Sequence, residues 1–411
     1  MTRHKALLAI SLLARAGAGF VGLFVLARAL GPADYGLVAT ILAGASIIAL
    51  LTDFGFSIKL LRDVGARPER AREILADCFR VKTALALPAT VVVLVFLLHW
   101  QPDANALTAC IFLYLSVIVL SYGELALVGL RALGHFRTEL RIVLAGAAIF
   151  AAFLALAFFL HAPFIGFATA ILLSRLMQSA LAFFTLSRVV QLGNCLSGPV
   201  IGPLREAAGL AADTILTALS GQIDVVLVSF TLGLHATGIY QVAARASSYA
   251  MLPSQVLAGV YTPVLSARHH VRDREARALE ARMLIEFPLL GALSALVIVL
   301  VFPALAPIIF GHAFAVPMSV WTGFAAFVFL RFSLGALGIA LVARRAVKVR
   351  LLGQSLGVAT LCTGMLALLP GWGIVAAPWV AVAATLVTAL VYCTALGRGF
   401  WLRLSHRAGA A

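Results

Sequence analysis

Apolar stretches of about 20 residues, the length that crosses roughly 30 Å of hydrocarbon, follow one another along nearly the whole chain, parted by short polar or glycine-bearing turns. Twelve spans are predicted, at about 6–30, 36–58, 80–98, 106–130, 140–160, 164–186, 209–232, 238–262, 283–302, 317–342, 350–369 and 374–396. The first joint shows how tight the connections are. Between spans one and two only Gly31-Pro32-Ala33-Asp34-Tyr35-Gly36 is left for a turn, so the pair is expected to form a helical hairpin. The second span then carries an acid, Asp53, deep into its apolar run.

Composition agrees with the pattern. For 411 residues, 63% hydrophobic and 11% charged content with a mean hydropathy of +1.06 excludes a soluble multidomain protein and points to an all-α polytopic membrane protein. The first run, from Ala6 to Leu30, is too long for a signal-peptide core and lacks a separate polar cleavage region, so it is expected to stay as a helix. Cys78, Cys110, Cys195, Cys362 and Cys393 form no CxxC pair and fall mostly inside spans, and the nine histidines are scattered. Neither a disulfide framework nor a metal site is expected, and no cofactor is.

The +15 net charge gains its meaning from where it sits. Of the 31 Lys and Arg residues, 26 lie in the N-terminal tail, in alternate loops including 59–82 and 263–282, and in the C-terminal tail. The opposite loops, around Pro32, Gln101, Ala162, His235, Ala315 and Gly371, hold none. By the positive-inside rule the charged loops and both termini are cytoplasmic. Charge placed in this way leaves no support for a nucleic-acid partner.

The pattern also repeats. Leu30-Gly31 with Gly36 recurs 202 residues later as Leu232-Gly233 with Gly238, and the basic loop 59–82 falls at that offset on 261–284. Six spans precede a boundary near 191–203 and six follow it. The expected organisation is an N-terminal six-helix lobe (1–190), a cytoplasmic linker (191–208) and a C-terminal six-helix lobe with a cytoplasmic tail (209–411), the lobes related by a parallel pseudo-twofold repeat.

Five arginines, Arg15, Arg28, Arg175, Arg245 and Arg331, lie within spans, where an ionised group must be paired, face water or snorkel. Counting about 1.5 Å per residue from the turns places Arg15 and Asp53 at similar depth, so that they can pair. The same count from Gly233 and Gly238 pairs Asp224 with Arg245. Arg28, three residues from its turn, either snorkels outward or meets Asp34. Arg175 and Arg331 are near mid-bilayer with no acid at matching depth on a neighbouring span. They need a distant partner such as Glu124 or a water-filled interior, and in a central cavity they would attract a phosphate or pyrophosphate.

At Arg28-Ala-Leu-Gly31-Pro32-Ala-Asp34-Tyr35-Gly36, Asp53-Phe54-Gly55, Gly129-Leu-Arg131-Ala-Leu-Gly134-His-Phe136 and Gln222-Ile-Asp224 running through Gly233 to Tyr240-Gln-Val-Ala243, the chain resembles the bacterial polysaccharide and lipid-linked oligosaccharide flippases. These are the Wzx-type branch of the multidrug/oligosaccharidyl-lipid/polysaccharide exporter superfamily. The resemblance covers the first four spans and spans seven and eight. It implies two six-helix lobes around a cationic cavity and alternating access that carries a polyprenyl-pyrophosphate-linked oligosaccharide, an O-antigen, capsule or exopolysaccharide unit, from the cytoplasmic to the outer leaflet of the bacterial inner membrane. The implied partners are the lipid-linked glycan, membrane lipids and the glycosyltransferases or polymerase of the same pathway.

On this reading Arg175, Arg331 and Arg15 bind the anionic headgroup, while Asp53, Asp224, Arg245, Glu124 and Arg28 are structural or coupling charges. Two other readings are a small-amphipath exporter of the same superfamily and a membrane glycosyltransferase or polymerase. The first would favour acids in its cavity. The second would need acids or a domain in outer loops that are only about five to eight residues long here. A non-enzymatic transporter is expected, and the absence of a GxxxxGK[ST] stretch leaves ATP-driven transport by this chain without support.

Overall fold

Glycine decides how the spans are joined. In the computed structural model, which describes residues 2–99, 103–190, 198–268, 274–344 and 346–397, helix α1 (Thr2–Asp53) makes two passes because Gly31 takes φ 73° and ψ 176°. That backbone region is closed to residues bearing a Cβ. Pro32 then opens the second pass, where its missing N–H has no intrahelical acceptor to lose. Helix α7 (Ile201–Ala250) repeats the device at Gly233, with φ 83° and ψ 175°. The turn predicted over 31–36 is thus a one-residue bend, and the shortening matters for every depth measured from it.

The remaining helices are α2 (Phe56–Ala66), α3 (Ala71–His99), α4 (Ala104–Ala132), α5 (Phe136–Phe159), α6 (Phe164–Val189), α8 (Leu252–Arg268), α9 (Arg274–Leu300), α10 (Phe302–Phe310), α11 (Met318–Ala343), α12 (Val347–Trp372) and α13 (Ala376–Leu396). Nine stretches among the described residues are long and apolar enough to cross a membrane. Three of them, Ile10–Ala66, Ile201–Gly259 and Val347–Leu396, are long enough for two passes, which gives twelve. The protein is an all-α polytopic membrane protein. The lipid-directed side of α3 illustrates the rule: Leu87, Val91, Val95 and Leu98 recur at helical spacing and are exposed, as residues solvated by acyl chains can be.

The chain divides into two compact units, Met1–Ile223 and Asp224–Ala411, with the division falling inside α7. The core of the first is built around Phe56, Leu60, Leu75, Val81, Leu125, Leu130 and Leu186, drawn from α2, α3, α4 and α6. In the second, Trp321, Phe324, Phe332, Phe287 and Tyr240 are buried, with Tyr240 and Phe324 rings 5.5 Å apart. The predicted linker 191–208 lies outside the described residues up to 197 and enters α7 from Ile201. The basic tail with Arg398, Arg403 and Arg407 lies wholly outside them, as do His269 and His270.

The stretch 59–82, expected as a loop, is mostly helical, and three of its seven basic residues are buried. Lys59 reaches Glu206 at 2.6 Å, and Arg80 bonds Asp77 at 2.8 Å and the Pro199 carbonyl at 3.4 Å. Lys82, the third, belongs to the charged cluster described next.

Candidate functional site

Within the first unit, charges from four helices collect at span depth. Lys82 of α3 is 1% exposed, which an ammonium tolerates only if its donors are met. Its Nζ lies 3.2 Å from Asp53 Oδ1, donates to the Ser121 carbonyl at 3.0 Å and sits 5.5 Å from the Tyr122 ring centroid. Asp53 in turn accepts from the Ser57 hydroxyl at 3.0 Å and the Ser57 N–H at 3.3 Å, so it also caps the first turn of α2. This pair is closed on itself.

The second pair is more open. Arg15 Nη1 of α1 donates to Glu124 Oε1 of α4, and the two side chains keep 31% and 32% exposure. The other terminal nitrogen of Arg15, Nη2, is buried without an acceptor among the described residues. Glu124 is brought to this place by Gly123, where an added Cβ would fall 2.4 Å from Ser179 Oγ, so α4 and α6 touch at van der Waals range. One turn earlier on α6 stands Arg175. Its guanidinium carbon lies 4.3 Å from the Phe150 ring centroid and Nη1 donates to Gln178 Oε1 at 3.3 Å. No carboxylate lies within ion-pair distance of Arg175 among the described residues, but Glu124 attracts its charge and Arg15 repels it. Glu124 acts on Lys82 as well.

The second unit treats its charges differently. Tyr240 donates its hydroxyl to Asp224 Oδ2 at 2.6 Å, and Asp224 Oδ1 has no hydrogen-bond partner among the described residues. Arg245 donates from Nε at 2.8 Å and Nη2 at 3.3 Å to the carbonyl oxygen of Gln241, once that amide is oriented to face it. Arg331 is exposed, with its guanidinium 5.9 Å from the Phe327 ring.

Both predicted acid–arginine pairs are therefore corrected, for one reason. With the bend confined to Gly31, Asp53 stands 22 residues after it and Arg15 only 16 before it, a mismatch of roughly 9 Å. Asp53 takes Lys82, which had been counted among the loop cations, and Arg15 takes Glu124. Measured from Gly233, Arg245 is 12 residues away, Asp224 nine and Tyr240 seven. The tyrosine is the nearer match to the acid. Glu124, expected as a distant partner for Arg175 or Arg331, is held by Arg15 and reaches Arg175 only through space. Arg28 is exposed near its bend, 6.0 Å from the Phe24 ring. Lys82 and Tyr240 are the partners that residue counting missed. The available signal for Lys82 was the position of Asp53, far enough from the outer turn to meet a cation entering from the basic side.

A family model described as polysaccharide biosynthesis protein matches residues 2–269. No curated protein sequence is matched at significance. Among solved structures, the chain is similar to a multidrug resistance MATE family transporter of the MOP superfamily in its inward-facing conformation, with a TM-score of 0.76 at 16% identity over 95% of both chains. The outward-facing conformation of such a transporter gives 0.67 at 16% identity, covering 100% of this chain and 96% of that one. A MOP superfamily transporter from Pyrococcus furiosus, described as having a binding pocket of reverse polarity, gives 0.66 at 15% identity over 98% and 95%. At these identities the likeness is one of fold.

Proposed function

The chain belongs to the polysaccharide biosynthesis protein family, and from that membership we propose that it is a non-enzymatic, alternating-access flippase for a polyprenyl-pyrophosphate-linked oligosaccharide. The observation that carries the reading is Arg15: a guanidinium at span depth, partly open, with one buried N–H group lacking an acceptor and a second guanidinium, Arg175, within electrostatic reach. Planar forks of this kind suit phosphate oxygens, which accept two parallel N–H bonds from each. Arg331, exposed in the second unit, is proposed as a further anion contact. The fold alone would serve an exporter of small amphipathic molecules equally well. The positive sign of the half-open cluster favours an anionic cargo.

The proposed setting is a bacterial inner membrane with both termini cytoplasmic, supported by the Lys/Arg bias of alternate loops. In a background with the five native cysteines replaced by serine, a membrane-impermeant thiol reagent should label Ala104→Cys and spare Arg70→Cys in intact cells. Reversed labelling would invert the topology and the direction of transport.

The function itself is tested by leaflet accessibility. In cells lacking the protein, the lipid-linked sugar should accumulate on the cytoplasmic face, and wild-type protein should restore its outward appearance. Restoration by an Arg15→Ala/Arg175→Ala double variant at matched membrane level would remove these residues from the cargo site. Glycosyltransferases or a polymerase acting on the same glycan are the proposed partners.

A further inference from the structure

The two ion pairs of the first unit are built to different standards. Lys82 and Asp53 are almost sealed, their side chains 2% and 11% exposed, and each has further hydrogen-bond partners. Arg15 and Glu124 are about a third exposed, and among the described residues Arg15 supplies the one hydrogen bond that Glu124 makes and retains a donor without an acceptor. This pair is left partly open, with a second guanidinium, Arg175, within electrostatic reach.

We propose that Glu124 is a built-in counter-anion that occupies the cargo's place on Arg15 in the empty transporter, and that its displacement makes the site selective for a dianionic pyrophosphate over monoanions. This rests on the anion-carrying reading above. The charged groups that act on the Glu124 carboxylate are Arg15 on α1, Lys82 on α3, Arg131 on α4 and Arg175 on α6, and Arg131 is bound to Glu139. Lys82 is committed to Asp53. What remains is two guanidinium groups and one carboxylate, an excess of one positive charge.

The need for such a group follows from the transport cycle. A carrier must return empty as well as cross loaded, and two uncompensated guanidiniums at span depth would make the empty return costly. Glu124 removes half of that excess without a bound ligand. It also competes with every ligand, at the high effective concentration of a tethered group. A monoanion that displaces it exchanges one negative charge for another and gains little. A pyrophosphate diester brings two negative charges to Arg15 and Arg175 and enough oxygens to accept from both forks, including the unmet Nη2 donor of Arg15. Selectivity of this kind is a difference between two affinities, produced by penalising the wrong ligand.

The test uses the full chain in lipid nanodiscs and two soluble probes, farnesyl-pyrophosphoryl-N-acetylglucosamine and the matching farnesyl-phosphoryl sugar, which differ by one phosphate. Wild type is expected to prefer the pyrophosphate at least tenfold. Glu124→Gln is expected to bind both probes more tightly, with the larger gain, about tenfold, for the monophosphate, so that the preference narrows. Glu124→Asp withdraws the carboxylate from Arg15 by one methylene and should shift both affinities the same way by a smaller factor. This second variant keeps the charge and decides the matter if the first does not fold. Unchanged or weaker binding in these variants, with wild type binding normally, overturns the role of Glu124 and leaves the flippase reading standing. Failure of wild type to bind either probe removes the anion site and this inference with it.

Discussion

A single glycine bends a two-pass helix at the corresponding place in each half of the chain, Gly31 in α1 and Gly233 in α7, 202 residues apart. The charges at span depth in the first half have no counterpart in the second. At the same offset Arg15 falls on Thr217, Lys82 on Leu284, Glu124 on Ala326 and Arg175 on Ala377. The first unit holds two ion pairs and a ring-supported arginine at span depth, whereas in the second a tyrosine donates to one oxygen of Asp224 and an amide accepts from Arg245. A backbone that must bend within one residue constrains both copies alike. Charge at lipid depth is tolerated only where it is compensated, so it can be kept in one copy and lost from the other.

The largest expected effect lies in the sealed pair. Lys82→Ala leaves Asp53 buried without its cation and should cost about 3–5 kcal/mol, seen as a sharp fall in thermal midpoint in detergent. Joining Lys82→Met to Asp53→Leu should recover most of the loss. Strictly additive losses would mean that the pair does not hold α1 to α3.

In the second unit the corresponding test is milder. Tyr240→Phe removes one hydroxyl donor from Asp224 and should cost about 1–3 kcal/mol, by the same measurement. A loss as large as that of Lys82→Ala would erase the contrast between the two units.

Transport should separate the halves in a different way and by a smaller factor. Arg175→Ala should slow flipping about tenfold, equivalent to about 1.4 kcal/mol, and Arg175→Lys less, since the charge survives while the planar fork and its stacking on Phe150 are lost. Arg331→Ala, at an exposed site, should slow it about twofold. Equal losses at both positions, in proteins inserted to the same level, would show that the cargo draws on the two units equally.

The spans were readable because the length of an apolar run is fixed by bilayer thickness, which acts on each helix separately. The bends were readable for a related reason: LGxxxxG marks a point that needs a glycine, even though the turn proved to be one residue and not six. Ion pairing was not readable. Counting residues gives height along a helix, but a partner is also chosen by rotation about the axis and by which neighbour stands beside it. Glu124 meets Arg15 because Gly123 lets α4 approach α6, a three-helix fact that no pair of spans contains. Lys82 was hidden by the same limit, since a cation just outside an apolar run looks alike whether it meets water or a buried acid.

The separation of Arg15 from its partner also sets a schedule for making the protein. Arg15 enters the bilayer with the first helix, and Glu124 is 109 residues further along the chain. At roughly 5–20 residues added per second, the arginine waits on the order of 5–20 s for its acid. During that time it carries an insertion penalty of about 2.5–3.5 kcal/mol for a charge near the helix centre. Ile10, Leu12, Leu13, Phe20 and Val21 must hold the helix in place through that interval by their own apolar character. Polar substitution there would act on the nascent chain, lowering the fraction that inserts while leaving the finished transporter's rate per molecule unaltered.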